Sequence, residues 1–382
     1  MIISKNEFIG KNSIKNLKFI LKDKKNKNIL FFAGSNSFVN SGAKNLLKAY
    51  VEKKNVKIFL KKKSYGDITE LLDAIRVLKN FKPNLIIAVG GGSVMDLAKC
   101  ANTLYYIENL KENISKPNLI INKKFCELCC IPTTAGSGAE ATRHAVIYSK
   151  KIKYSIESSY GLPDFIISDS SLILSAPKKI SASAGIDAIS QAIESLLSVK
   201  SSEDSVSFAL ESLKYSKSNF VNHINKPSLS TSYKMSIAAY LAGKAINISK
   251  TVAPHAISYP MTSHFNVSHG QAVCITLTDI LKYNYKNAKY SVAQFDIKKR
   301  FDKIFKVLNI KNINDLEGFI KKIINDTGLT NNILDLGVKK RSDIDLILSN
   351  INAQRLKNNP IAISNDVIKE ILTQKVLNKS PF

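Results

Sequence analysis

Leu85-Ile86-Ile87-Ala88-Val89-Gly90-Gly91-Gly92-Ser93-Val94-Met95-Asp96-Leu97-Ala98-Lys99 runs from an apolar segment through three glycines into a helical pattern. A strand that feeds a glycine turn and then a helix gathers unhindered backbone N–H groups and a positive helix end around one point. That is a physical site for a pyrophosphate, and glycine also lets the backbone approach such a ligand closely. Outward from this stretch the same texture repeats. Short apolar runs at Ile29 to Ala33, Val56 to Leu60, Leu128 to Ile131 and Phe165 to Ile167 are each bounded by Gly, Pro, Asn or Lys, and segments such as Ile68 to Leu78 carry apolar residues at helical spacing between them. Apolar runs alternating with amphipathic helices predict a parallel sheet with crossover helices. A second loop, Pro132 to Arg143, follows the fourth run and offers the hydroxyls of Thr133, Thr134 and Ser137 among its glycines. The turn after the first run, Gly34-Ser35-Asn36-Ser37, lacks the G-x-G-x-x-G pattern, so an ordinary Rossmann fingerprint is absent.

Beyond about Ser175 the texture becomes helical. Pro177 opens a pattern over Ile180 to Leu197, and Ser202 starts another. The expected organisation is an α/β domain over residues 1–174, binding a dinucleotide, and an all-α domain over 175–382. Asp187 and Gln191 stand four apart and share one helix face. Three of the five histidines, His255, His264 and His269, fall in one short segment. An oxygen pair on one helix and an imidazole pair nearby would make a mixed N/O site for iron(II) or zinc(II). Cys126, Cys129 and Cys130 carry a C-x-x-C spacing, but alternate side chains of a strand face opposite ways and no partner pair is near, so no metal is expected there.

Gly90 to Ser93, the Pro132 to Thr142 loop, Gly185-Ile186-Asp187-Ala188 and the His255/His269 pair resemble the successive signatures of the iron-containing (group III) alcohol dehydrogenase family, in order and over essentially the whole chain. The resemblance implies the dehydroquinate synthase-like fold of that family, an NADPH- or NADH-binding N-terminal domain, a helical C-terminal domain and a divalent metal ion. It places metal ligands at Asp187, His255 and His269, with Gln191 where most members carry His. It places cofactor contacts at Gly34, Asn36, Gly90, Gly91, Gly92, Ser93, Asp96, Thr133, Thr134, Ser137 and Lys153. Gly34 stands where NAD-using relatives often have Asp, which favours NADPH. Tyr259 replaces a second His of many members; Tyr259, His264 or a relayed water would supply the proton to the product alkoxide.

The stretch Asn247 to Tyr259 and its continuation to His264 look like the branch that reduces phosphonoacetaldehyde to 2-hydroxyethylphosphonate. Arg143, Lys250, Ser249, Thr251 and Thr262 would then hold the doubly charged phosphonate through cations and hydroxyls. Dehydrogenases of lactaldehyde, butanol or glycerol type, and a dehydroquinate-synthase-like lyase, are the rival expectations.

Composition bounds these expectations. A hydrophobic share of 45% over 382 residues supports a sizeable core, and five cysteines are too few for a disulfide framework. The formal charge of +26 is spread as Lys beside Asn and Ile, as in Lys22 to Lys27 and Lys311 to Lys322, with no aromatic interleaving and no nucleic-acid reader motif. No nucleic-acid partner is expected, while the field of so basic a surface favours anionic ligands. Met1 to Phe8 lack a secretory pattern and no apolar run approaches a membrane span, so a cytoplasmic protein without membrane contact is the expectation; a homodimer is expected as its assembly.

Overall fold

The computed structural model describes residues 2–22, 28–52, 54–116 and 119–377; of the basic segment 22–27 only Lys22 falls within them. Two compact units divide the chain. The first comprises residues 1–177 and 227–240, and the second 178–226 and 241–382. The boundary expected at 174/175 therefore falls at Pro177/Lys178, and residues 227–240, the first part of the Leu229–Ser249 helix, group with the α/β unit rather than with the helical one.

Among the described residues the first unit carries nine strands: β1 (Ile2–Ser4), β2 (Glu7–Gly10), β3 (Asn28–Gly34), β4 (Asn55–Lys61), β5 (Leu85–Gly90), β6 (Glu127–Pro132), β7 (His144–Ser149), β8 (Ile152–Glu157) and β9 (Phe165–Asp169). Seven form one sheet in the order β1-β2-β9-β6-β5-β3-β4, parallel throughout except that β1 runs against β2. All five strands expected from the apolar runs are present. Their continuous apolar character follows from burial on both faces. Leu30, Phe32, Ile86, Ala88, Leu128 and Cys130 point into one core with the Ile68–Phe81 and Gly92–Leu104 helices, whereas Ile29, Phe31, Leu85, Ile87, Cys129 and Ile131 point into the other. Cys129 and Cys130 thus lie in different cores, and burial pushes the Cys130 thiol up to about 12. That is the chemistry of inert packing thiols, as the strand alternation required.

Two antiparallel pairs were not expected from the sequence. β1 and β2 form one. The other is the β7–β8 hairpin, whose two-residue turn is Lys150-Lys151 with φ of 50° and 65°. A turn with both central residues left-handed favours Asn-Gly or Asp-Gly, so two lysines give no such signal.

The second unit is helical. Its central Lys178–Leu197 helix is buried from Ser181 to Leu197 on nearly all sides, which a sequence rich in Ala, Ser and Ile permits. The Glu203–Asn225 and His269–Lys286 helices pack on it, and Ala253–Phe265 packs on His269–Lys286. Among the described residues no helix is long and apolar enough to cross a membrane.

Candidate functional site

In the α/β unit the glycine turn caps β5. Gly91 precedes the Gly92–Leu104 helix, so the N–H groups of its first turn open at the carboxyl edge of the sheet. The second loop leaves β6 directly alongside, where Gly90 pairs with Pro132 and Thr133 N donates to Gly90 O at 3.0 Å. A Cβ on Gly92 would stand 2.5 Å from Ser137 Oγ and 2.9 Å from Ser137 Cβ, so only glycine permits this approach of the two loops. Thr134 faces Gly91, and Thr133 is buried with its Oγ1 unmatched by any hydrogen bond. Gly90 to Ser93 and Thr133 to Ser137 are therefore brought together as expected.

Lys99, nearly two turns further along the helix, is 1% exposed and ties the far end of the second loop down. Its ammonium donates to the carbonyls of Ala139, Thr142 and His144. Around it lie the buried carboxyl of Glu140 and the partly buried one of Asp96. Burial raises Glu140 to about 7 and Asp96 to about 6, with the Lys99 charge opposing both shifts; Lys153 and Lys61 also oppose the Asp96 shift. Lys153 on β8 thus sits within electrostatic reach of Asp96. Asn36 is exposed at the start of the Ser37–Asn40 helix, and the space beside Gly34 is taken by the Ser37 hydroxyl. Lys99 and Glu140 escaped the sequence reading, because a lysine and a glutamate in a +26 chain look like solvated surface.

In the helical unit Asp187, His255 and His269 converge, with one ligand atom from each lying within 4.8 Å of the others. Asp187 and Gln191 project from the same face of the Lys178–Leu197 helix, and His269 begins the helix packed across from it. His255 Nε2 stands 3.2 Å from Asp187 Oδ1. That contact joins two buried atoms, Gln191 Oε1 is buried as well, and Gln191 Nε2 donates to Asp187 Oδ2 at 3.1 Å. Gathering a carboxylate, an imidazole and an amide oxygen in a buried space carries a desolvation cost. A divalent cation removes that cost, and one carboxylate with two imidazoles and a neutral amide oxygen suits iron(II) or zinc(II). The donors present fit the metal.

The site has a residue that the sequence reading passed over. Glu194 is fully buried one turn beyond Gln191; its Oε1 meets His255 Nδ1 at 2.6 Å, and its Oε2 accepts from Val252 N at 2.8 Å. Burial alone would depress the His255 imidazole, but the Glu194 and Asp187 carboxylates reverse this and raise it to about 10 in the metal-free protein. Its position seven residues after Asp187, on the same helix face, was the available signal. Ser258 Oγ donates to His255 O and lies 3.4 Å from His269 Nδ1.

The remaining candidates divide. Tyr259 is 6% exposed and stacks on His269, with centroids 6.1 Å apart and planes at 29°. His264 lies half-buried in the last turn of the Ala253–Phe265 helix. Lys250, 8% exposed, occupies a left-handed position, φ 65°, on the turn leading to His255. Ser249 on that turn is not available to a phosphonate as expected: its Oγ lies 2.7 Å from Ser195 Oγ and 3.0 Å from Ala245 O, fully buried. Thr251 is buried too, and its carbonyl accepts from Asn358 Nδ2. Thr262 Oγ1 is buried without a hydrogen bond. Arg143, in the α/β unit, is paired with Glu157 across the β7–β8 hairpin at 2.9 Å. A carboxylate therefore already occupies the guanidinium that the phosphonate reading needed.

Comparison with known proteins accords with this geometry. A family model described as iron-containing alcohol dehydrogenase matches residues 5–170, and one described as Fe-containing alcohol dehydrogenase family, C-terminal, matches residues 181–376. The chain is 30% identical over 254 residues to aldehyde-alcohol dehydrogenase 2 of Entamoeba histolytica, a match covering 63% of the chain and 29% of that relative; the chain thus spans less than a third of its length. It is 24% identical to the NADPH-dependent butanol dehydrogenase of Clostridium saccharobutylicum, covering 95% and 94% of the two chains. Among solved structures, the sulfoacetaldehyde reductase of Bifidobacterium kashiwanohense in complex with NAD+ superposes with a TM-score of 0.86 at 25% identity, covering 97% and 96%.

Proposed function

The chain belongs to the iron-containing alcohol dehydrogenase family, and we propose that it is a metal-dependent NAD(P)H oxidoreductase that reduces a small anionic aldehyde, phosphonoacetaldehyde being the specific candidate. The observation that carries the reading is the convergence of Asp187, His255 and His269, one ligand atom of each lying within 4.8 Å of the others, in a chain whose other unit offers a glycine turn for a pyrophosphate. When bound, the reduced nicotinamide supplies the hydride and the divalent ion polarises the carbonyl and stabilises the developing negative charge, an effect worth several kcal/mol.

The chain's own residues do the rest. Gly90 to Ser93 present N–H donors to the pyrophosphate. Asp187, His255 and His269 would hold the ion, and Gln191 steers Asp187 through its hydrogen bond. Tyr259, stacked on His269, and His264 are the groups that can pass a proton to the product oxygen. For the anionic substrate, Lys250 is the supporting feature: a nearly buried ammonium five residues before His255, in a backbone conformation that costs a non-glycine residue about 1 kcal/mol or more. The likeness to a sulfoacetaldehyde reductase supports a small anionic aldehyde, whereas the likeness to a butanol dehydrogenase over nearly the whole chain supports a neutral one.

One assay separates these readings. NADPH and NADH oxidation is followed with phosphonoacetaldehyde, sulfoacetaldehyde and propanal, before and after chelation and with iron(II) or zinc(II) restored. Turnover of an anionic aldehyde that chelation abolishes and metal restores is expected, with Lys250→Ala raising KM for the anion and not for propanal. Preference for propanal, or a KM indifferent to Lys250, refutes the anionic assignment, and no nicotinamide oxidation with any aldehyde refutes the reductase.

A further inference from the structure

We infer that Glu194 is the positioning residue of the metal centre: one carboxylate that aims the His255 ring with one oxygen and pins the start of the helix bearing it with the other. The inference rests on the metal reading of Asp187, His255 and His269. Glu194 Oε1 lies 2.6 Å from His255 Nδ1, and Glu194 Oε2 accepts from Val252 N at 2.8 Å. Val252 is the residue from which the Ala253–Phe265 helix starts, three residues before His255. The ring is thereby held at its backbone origin and at Nδ1 by a single group that is 0% exposed on a different helix. With Nδ1 facing the carboxylate, Nε2 is the nitrogen left to face Asp187 Oδ1, 3.2 Å away. A carboxylate behind a ligating imidazole fixes the tautomer and strengthens the donor, and its loss typically weakens metal binding about 10–100-fold.

A neighbouring hydroxyl provides the contrast. Ser195, the next residue on the helix, bonds through its Oγ to Ser249 Oγ on the same turn at 2.7 Å, where Glu194 bonds to His255 itself. If Glu194 merely packed the turn, removing either contact would have the same kind of effect. Glu194→Gln keeps the shape but offers one oxygen where two are used; turned to serve His255, its amide N–H would oppose Val252 N–H, and the reverse orientation loses the ring.

The test is zinc affinity of the full chain, read by competition with a chromophoric chelator, for wild type, Glu194→Gln and Ser195→Ala, with nucleotide affinity and the Tm of the metal-free proteins measured alongside. Expected is a Kd for zinc weakened about 10–100-fold in Glu194→Gln and unchanged in Ser195→Ala, with NADPH affinity intact in both. Equal zinc affinity in wild type and Glu194→Gln overturns the inference while leaving the metal reading in place, as does an equal loss in both variants. A wild type that binds no zinc or iron overturns the metal reading itself. Should Glu194→Gln not fold, long-range proton–nitrogen spectra of the wild type loaded with zinc decide: ligation through Nε2 of His255 is expected, and ligation through Nδ1 overturns the inference.

Discussion

Gly270→Ala is the perturbation that most directly tests how the proposed metal ligands are brought together. Gly270 follows His269 on the helix packed against Asp187, and a Cβ there would overlap the carbonyl oxygen of Ser183 and stand 3.0 Å from both Ser183 C and Asp187 Cβ. Ordinary contact begins at 3.4 Å, so clearing the carbon atoms alone requires the helices to part by about 0.4 Å, more than the roughly 0.2 Å tolerance of metal–ligand distances. The oxygen overlap demands more, because backbone on both sides cannot rotate away. Overpacking of this kind costs about 1–3 kcal/mol, and each kcal/mol lowers Tm by roughly 2–4 °C in a unit of this size. The variant is therefore expected to melt lower in its metal-free form and, in addition, to lose zinc or iron by elemental analysis after desalting while still binding NADPH. Full metal occupancy with wild-type Tm would refute the argument that this close approach sets the ligand geometry. A lower Tm with undiminished zinc affinity would show that the helices part without moving His269 from Asp187.

Two further outcomes follow from the buried charges and the unusual amide. Glu140 is raised to about 7 by burial; a carboxyl that holds its proton more tightly folded than unfolded loses stability as pH rises from its ordinary value near 4.5 through about 7, up to about 3 kcal/mol. Glu140→Gln is expected to gain urea resistance over wild type at pH 8 and nothing at pH 4, and equal midpoints at pH 8 would contradict it. Gln191→His replaces a neutral amide oxygen by an imidazole at the metal, and zinc affinity is expected to rise on the order of tenfold, even though the Gln191 hydrogen bond to Asp187 is given up; weaker zinc binding would mean that steering Asp187 matters more than the fourth donor.

The sequence by itself determined the parallel sheet, the glycine turn at its carboxyl edge, the helical second half and the candidate ligand types at Asp187, His255 and His269. These are local matters: apolar runs buried on two faces, glycines ahead of a helix, and residues four apart on one helix face are legible from spacing. Tertiary structure alone decided which polar residues would be spent on holding the sites. Glu194 and Lys99 read as charges on helices until packing showed each of them buried, one against His255 and Val252, the other on three carbonyls. Ser249 and Arg143, plausible anion binders by type, are bonded to Ser195 and Glu157. Whether a polar side chain faces a ligand or a neighbour depends on partners tens of residues away, and no local pattern encodes that choice, because desolvation and hydrogen-bond satisfaction are settled only when the elements meet.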